Sequence, residues 1–230
     1  MTAVPTTQLQ ALKEYTACDI ADALLKLKVP GSGYLPDLSI YPAHAVAEKE
    51  EIVIAPASTV LFVPKNASDT SRYGSANIPS GKHWVDLTKP GTIVVLSQPE
   101  GQKNAVLGGI MALRMKVLGA HGVIVSGRVR DMVELEATGL PVWARGSSAV
   151  GAGAESSPYA IEVPLVIDGT EVSPGDLVFS DRTNGVIVIP KDKVDAVVEM
   201  LPKIVGADDR VKEEVQNGIT VQEAFKKHRG

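Results

Sequence analysis

The sequence predicts an α/β fold in which a mixed sheet surrounds a central β-α-β unit. Two apolar runs, Thr92–Leu96 and Gly122–Ser126, flank a segment with helical periodicity, and this order of elements forms a parallel strand pair. Short strand-like runs separated by Asp-Gly and Asn-Gly turns follow. The chain of 230 residues is 44% hydrophobic but only 4% aromatic, so its core is expected to be mainly aliphatic.

The first third of the chain predicts two helices, a strand pair and a loop. Thr7–Tyr15 is expected to form a short helix, and T-A-C-D from Thr16 is a capping-box-like start of a second one. Ile52–Val63 is expected to hold two strands that separate near Pro56, because proline donates no ladder hydrogen bond. The polar stretch that follows is expected to be a loop with a short helix at His83–Leu87.

The helix of the central unit is expected over Asn104–Leu118, with Gly119 at its C-terminus. Its apolar residues recur at helical spacing and are Val106, Ile110, Leu113 and Val117.

The C-terminal half predicts short strands and then helices. The predicted strands are Pro141–Arg145, Ala160–Ile167, Thr170–Val172, Asp176–Ser180 and Val186–Ile189, with turns at Asp168-Gly169, Pro174-Gly175 and Asn184-Gly185. The helices are Lys191–Ile204 and Thr220–Lys227, the second capped by Thr220. No linker is evident, so we expect one domain over 1–230, with a core at about 16–190 and a helical tail at 191–230.

Composition excludes several classes of protein. The formal net charge of -4 argues against nucleic-acid binding, which needs a basic surface. No apolar run reaches the ~18–20 residues that span a membrane, and the N-terminal residues do not form a secretory signal. The lone Cys18 forms no internal disulfide and is expected in the core. These features predict a cytoplasmic protein.

Familiar cofactor and nucleophile motifs are missing. Gly151–Ser156 is one residue short of a dinucleotide-binding loop and is better interpreted as a flexible loop. The chain has neither a phosphate loop nor a nucleophile elbow. Its four histidines are scattered without zinc-ligand spacing.

The candidate site combines Gly108-Gly109-Ile110-Met111 with Arg130-Asp131. Both segments belong to the central unit, and Arg130-Asp131 follows a buried strand at the sheet edge where α/β proteins bind ligands. Two glycines inside a helix cost about 1 kcal/mol each, which indicates a close approach to the backbone; tight helix–sheet packing is the alternative. For Arg130-Asp131 the alternatives are a surface ion pair or an aspartate that caps the helix Asp131–Ala137.

Four blocks of sequence resemble the RraA-like family, which contains regulators of ribonuclease activity and 4-hydroxy-4-methyl-2-oxoglutarate aldolases. They are VLGGIMALR, GVIVSGRVRD, PVWARG and PGDLVFSDRTNGVIVIP, in this order. The resemblance implies an αββα-type sandwich related to the swivelling phosphohistidine domain. It also implies a homotrimer or hexamer with sites between subunits, and a metal-dependent aldolase or oxaloacetate decarboxylase that releases pyruvate.

By the same resemblance, the amides of Gly108, Gly109, Ile110 and Met111 would hold the carboxylate of a small 2-oxo acid. Arg130 would contact the same group, and Asp131 would bind Mg²⁺ or Mn²⁺ directly or through water. No lysine lies within a predicted apolar strand, which favours a metal over a Schiff base for stabilising the enolate.

The sequence departs from the family at Gly109, where some of its aldolases carry an acidic residue. Glu213 and Glu214 are candidates, by residue type only, for an acidic group that a neighbouring subunit supplies. The group that handles the proton stays unassigned. The alternative function is a non-enzymatic regulator that binds an RNA-processing ribonuclease; a methyltransferase is disfavoured because no nucleotide-binding glycine loop is present.

Overall fold

The computed structural model describes residues 5–42 and 52–229. The helices are α1 (Thr6–Leu12), α2 (Ala17–Lys26), α3 (Gly109–Val117), α4 (Met132–Thr138), α5 (Val194–Gln216) and α6 (Val221–His228). The strands are β1 (Tyr34–Leu35), β2 (Ser39–Tyr41), β3 (Ile52–Pro64), β4 (Ile93–Ser97), β5 (Ala105–Leu107), β6 (Gly122–Val129), β7 (Val142–Ser147), β8 (Ser156–Ile161), β9 (Leu165–Ile167), β10 (Thr170–Val172), β11 (Leu177–Asp181) and β12 (Gly185–Ile189). In this part of the chain no helix combines the length and apolar character needed to cross a membrane.

The main sheet is mixed and follows the order β1-β12-β11-β3-β4-β6-β7-β2, with β5 beside β6 and β8 beside β3. Strands β3, β4, β6 and β7 are parallel neighbours, whereas β1, β12 and β11 continue the sheet in antiparallel order. The predicted α/β class, the mixed sheet and the central unit β4-α3-β6 are confirmed. The relationship to the swivelling phosphohistidine domain and the single domain stay predictions.

Strand β3 is one continuous strand of 13 residues, so the predicted break near Pro56 is wrong. Pro56 is the last residue paired with β11, opposite Leu177, and Ala57 is the first paired with β4, opposite Ile93. The missing amide hydrogen of the proline therefore falls at the junction of two ladders rather than in the middle of one.

The central helix begins later than its periodicity predicts. Residues 105–107 form β5, which pairs in parallel with the end of β6, and only nine residues from Gly109 are helical. The three members of the predicted apolar face that lie in α3 are exposed: Ile110 by 71%, Leu113 by 55% and Val117 by 67%. The buried residues of α3 are Gly109, Ala112 and Met115.

The apolar residues of the central strands alternate between two faces of the sheet. Val94 and Leu96 pack with buried residues of α3 and α4, whereas Ile93 and Val95 pack on the other face with the β9–β10 hairpin. A separate cluster joins α2 and α5 to β11 and β12.

Several local predictions are confirmed and others are wrong. Thr16 and Thr220 each form a capping box, at the starts of α2 and α6. Residues 160–167 are not one strand, because they belong to β8, a turn and β9. The turn at Pro174-Gly175 is confirmed; it connects β10 to β11, which are not paired with each other. Helix α5 extends beyond the predicted end to Gln216, and Cys18 is exposed rather than in the core.

Candidate functional site

Two helix N-termini meet at the ends of two neighbouring parallel strands. Strand β5 ends at Leu107, which pairs with Val129 at the end of β6. Gly108 then caps the start of α3, and Asp131 occupies the equivalent position before α4. The two segments singled out by the sequence therefore lie side by side at the sheet edge where ligands of α/β proteins bind.

The carboxylate of Asp131 turns away from its own helix towards α3. Its backbone is left-handed (φ 60°, ψ 54°), a conformation that aspartate tolerates better than most residues, and its side chain makes no capping hydrogen bond to α4. Instead Oδ2 accepts a hydrogen bond of 3.2 Å from the Gly109 amide and lies 3.5 Å from Nε of Arg130. Arg130 and Asp131 thus do form an ion pair, but the alternative that the Asp131 side chain caps the following helix is wrong.

The two glycines make room for carboxylates that come from α4. A Cβ at Gly108 would lie 2.5 Å from Oδ2 of Asp131, and one at Gly109 would lie 2.0 Å from Oε2 of Glu134. Neither glycine stands in mid-helix as expected, because Gly108 is the N-cap and Gly109 the first helical residue. The close approach is therefore to side chains of residues 130–134, and the helix–sheet packing alternative does not describe it.

Glu134 and Gly151 belong to this site and were missed by the sequence reasoning. Glu134 lies three residues after Asp131, a spacing that puts both carboxylates on the same side of α4. Its carboxylate has no hydrogen-bond or ion-pair partner in the described part of the chain. A Cβ at Gly151 would lie 2.9 Å from a terminal nitrogen of Arg130, so this glycine lets the guanidinium lie against the loop. Only the spacing of Glu134 was visible in the sequence.

The first turn of α3 presents amide hydrogens to the site. The Gly109 amide donates to Asp131, and the helical ladder begins only with the Ala112 amide, which donates to the Gly108 carbonyl. The amides of Ile110 and Met111 thus have no acceptor within residues 5–42 and 52–229. With the helix dipole and the Arg130 guanidinium, they favour an anionic group in front of α3.

The donor set for a metal ion is small. The described residues contain no group of three or more His, Cys, Asp or Glu that could hold one. Oδ1 of Asp131 is free of hydrogen bonds among these residues, which suits a hard cation that takes one or two carboxylates and completes its shell with water and ligand.

The structure does not bring Glu213 or Glu214 to this site within one copy of the chain. Both lie near the end of α5, which packs with α1, α2 and α6. The carboxylate of Glu214 accepts a hydrogen bond from Lys227 and lies 3.0 Å from Nε2 of His228, and these two contacts hold the pKa of Glu214 below its ordinary value.

Comparisons with known proteins agree with the resemblance in the sequence. The RraA-like family, described as Aldolase/RraA, matches residues 17–188. A Halalkalibacterium halodurans protein named "Putative 4-hydroxy-4-methyl-2-oxoglutarate aldolase" is 32% identical over 185 residues, which are 78% of this chain and 87% of that protein. "Protein DlpA" of Legionella pneumophila is 28% identical over 220 residues, or 94% of this chain; the chain spans only 33% of its length.

A solved structure shares the fold. Streptomyces coelicolor RraAS2, described as "an unusual member of the RNase ES inhibitor RraA protein family", matches with a TM-score of 0.69. The two chains are 23% identical, and the match covers 96% of this chain and 100% of that one.

Proposed function

The chain belongs to the RraA-like (Aldolase/RraA) family, and we propose that it is a divalent-metal-dependent lyase. The proposed reaction cleaves a C–C bond of a small 2-oxo acid and releases pyruvate, as a 4-hydroxy-4-methyl-2-oxoglutarate aldolase, an oxaloacetate decarboxylase or both. The observation that carries the proposal is the convergence of Arg130, the Asp131 carboxylate and the first-turn amides of α3 at one sheet edge.

The donor set fits a hard divalent cation, Mg²⁺ or Mn²⁺. Asp131 would hold it through its free oxygen or through water, and the remaining positions would be left for water and substrate. A cation bound there acts as a Lewis acid towards the keto oxygen of a 2-oxo acid.

The chain's own groups would bind and orient the 2-oxo acid. The amides of Ile110 and Met111 would donate to its carboxylate, with those of Gly108 and Gly109 forming the rest of the cradle. Arg130 would contact the same end of the substrate and oppose the negative charge that develops as the C–C bond opens. One preorganised donor of this kind contributes about 3–4 kcal/mol to lowering a barrier.

Glu134 provides an acidic group next to Gly109. Some aldolases of the family have an acidic residue at the position of Gly109 instead. Oε2 of Glu134 occupies the space in which a side chain of residue 109 would begin. We therefore propose Glu134 as the group that transfers the proton in the aldolase reaction. Oxaloacetate decarboxylation depends less on such a group, because it needs little beyond stabilisation of the enolate.

Pyruvate release in the presence of Mg²⁺ or Mn²⁺ tests the proposal. Oxaloacetate and 4-hydroxy-4-methyl-2-oxoglutarate are offered separately, and pyruvate is measured with a coupled dehydrogenase. Arg130→Gln and Asp131→Asn should each lower kcat/KM by about 100-fold or more. Arg114 of α3 and Asp86 form a matched control, because they are an Arg–Asp ion pair of similar exposure that makes none of the contacts of the site.

The control double variant Arg114→Gln/Asp86→Asn should keep the full rate. Absence of pyruvate release from every 2-oxo acid offered, or full activity of Asp131→Asn, contradicts the proposal.

The exposed apolar face of α3 supports a second proposal, that copies of the chain associate. Ile110, Leu113 and Val117 are uncovered, and Val133 of α4 adds to them. We propose that this face is buried in a homotrimer or hexamer in the cytoplasm. A non-enzymatic regulator that binds a ribonuclease would also use an apolar protein-binding face; ribonuclease inhibition that survives the Arg130→Gln/Asp131→Asn double variant would favour that function.

A further inference from the structure

A cavity of about 750 Å³ opens where β4 ends beside the C-terminal half of β6. Its volume lies within the range of small-molecule sites. The segment after β4 contributes to it, together with residues 126–128 of β6, Arg145 of β7 and the β9–β10 hairpin. None of Gly108–Met111, Arg130 or Asp131 lines it, so it is separate from the candidate metal site.

Two serine hydroxyls form part of the lining. Ser97 ends β4, and Ser126 is its register partner on the neighbouring parallel strand β6. Both lie on the sheet face that carries Val95 and Ile124, because side chains alternate along a strand. Neither hydroxyl has a hydrogen-bond partner within the described ranges, so both can donate to a molecule in the cavity.

The charge of the lining is positive in a protein whose net charge is -4. Four cationic side chains line the cavity, namely Arg72, Lys103, Arg128 and Arg145, against two carboxylates, Glu100 and Asp168. Only Arg145 is paired with an acid, Asp168, in the described part of the chain. Unneutralised positive charge in a concave site attracts anions.

Arg128 is held in place by groups around it. Its amide donates to Oε1 of the buried Gln98 at 2.9 Å, and Nη1 donates to the Ser147 carbonyl at 3.0 Å. Gly146 permits this position, since a Cβ there would lie 2.8 Å from Nη1. Gln98 is fixed in turn by its bond to the Asn104 carbonyl. Because Arg128 is positioned without a carboxylate partner, the remaining N–H groups of its guanidinium are available to a ligand.

We infer that this cavity binds a small molecule with two or more oxyanion groups, either carboxylates or phosphates. Arg128 would contact one oxyanion, and the other cationic side chains of the lining would contact the second. The hydroxyls of Ser97 and Ser126 would donate hydrogen bonds to the ligand. The inference does not depend on the proposed lyase activity, because it needs neither a metal ion nor Arg130.

Isothermal titration of the full-length chain in metal-free buffer tests the inference, with citrate and pyrophosphate as separate probes. We expect at least one of them to bind at one site per chain, and the better probe distinguishes carboxylate from phosphate recognition. Arg128→Gln should weaken binding by about tenfold or more. Arg130→Gln is the matched control, because it makes the same change two residues later and should leave this binding unchanged.

Three results would overturn the inference: no binding of either probe, unchanged binding by Arg128→Gln, or an equal loss in Arg130→Gln. If Arg128→Gln does not fold, the Arg72→Gln/Lys103→Gln variant replaces it. Both of those side chains are exposed, and that variant should weaken binding to a similar extent.

Discussion

Replacing Gly108 by alanine should damage the candidate site mainly through its contact with Asp131. The backbone of Gly108 is extended (φ −136°, ψ −179°), so alanine is accommodated without strain. Its Cβ, however, would lie 2.5 Å from Oδ2 of Asp131, and the carboxylate has to recede by about 1 Å to reach an ordinary contact distance. The hydrogen bond from the Gly109 amide, already 3.2 Å long, would then be lost.

The size of the effect follows from that hydrogen bond. A bond to a charged group is worth about 1.5–3 kcal/mol, and partial exposure of Asp131 puts the expected loss of unfolding free energy at about 1–2 kcal/mol. Displacement of the same carboxylate should weaken Mn²⁺ binding by about tenfold or more. Urea unfolding measures the first quantity, and paramagnetic resonance of free Mn²⁺ measures the second.

Gly153→Ala is the control for this experiment. A Cβ at Gly153 would meet no atom within 4 Å, and its φ lies outside the left-handed region. This variant should stay within about 0.5 kcal/mol of the parent and bind Mn²⁺ normally. If Gly108→Ala behaves like Gly153→Ala in both measurements, the close approach of Asp131 to α3 is not what holds the site together.

Three further predictions concern charge, association and pH. Asp131→Asn keeps the left-handed backbone and an acceptor for the Gly109 amide, so its melting temperature should stay within a few degrees of the parent protein's. Its Mn²⁺ affinity should fall by more than about tenfold, and equal affinity by calorimetry contradicts the metal role. Leu113→Lys should reduce the mass measured by light scattering to that of one chain, and a monomeric parent protein refutes the proposed association. Burial raises the pKa of Asp181, but hydrogen bonds from the Ala17 amide and the Thr183–Asn184 turn outweigh it and hold the pKa below 3.8. The ionised Asp181 therefore stabilises the fold above pH 3.8, and this stabilisation is lost as the pH falls through the lower pKa of the folded state. Asp181→Asn should have a lower free energy of unfolding in urea at neutral pH, and this free energy should change less between neutral and acid pH. A pH profile equal to that of the parent protein contradicts the prediction.

Local signals in the sequence predicted much of the fold. The capping boxes at Thr16 and Thr220 need only residues three positions apart, and the parallel pair needs only two apolar runs around a helix. Helical periodicity, by contrast, identifies an apolar face but not what covers it. The face that contains Ile110, Leu113 and Val117 is genuine, yet within one copy of the chain it is exposed.

The sequence predicted which two segments meet at the candidate site, but neither all of its residues nor their contacts. The position of Arg130-Asp131 after a buried strand followed from the sequence, since β6 ends there. The approach of Glu134 to Gly109 depends on how α3 and α4 pack, and that of Gly151 to Arg130 depends on a distant loop. Such contacts join residues far apart in the chain, and no local pattern encodes them.

One strand pairing explains both the wrong helix start and the geometry of the site. The Arg130 amide donates to the Leu107 carbonyl at 3.0 Å, which holds the ends of β5 and β6 at the same level. A helix starting at Asn104 would have used the Gly109 amide in its own ladder, because that amide would lie beyond the first turn. Asp131 would then have had no donor on α3. The proposed anion site at α3 therefore depends on residues 105–107 being a strand, so that the first turn of the helix begins beside Asp131.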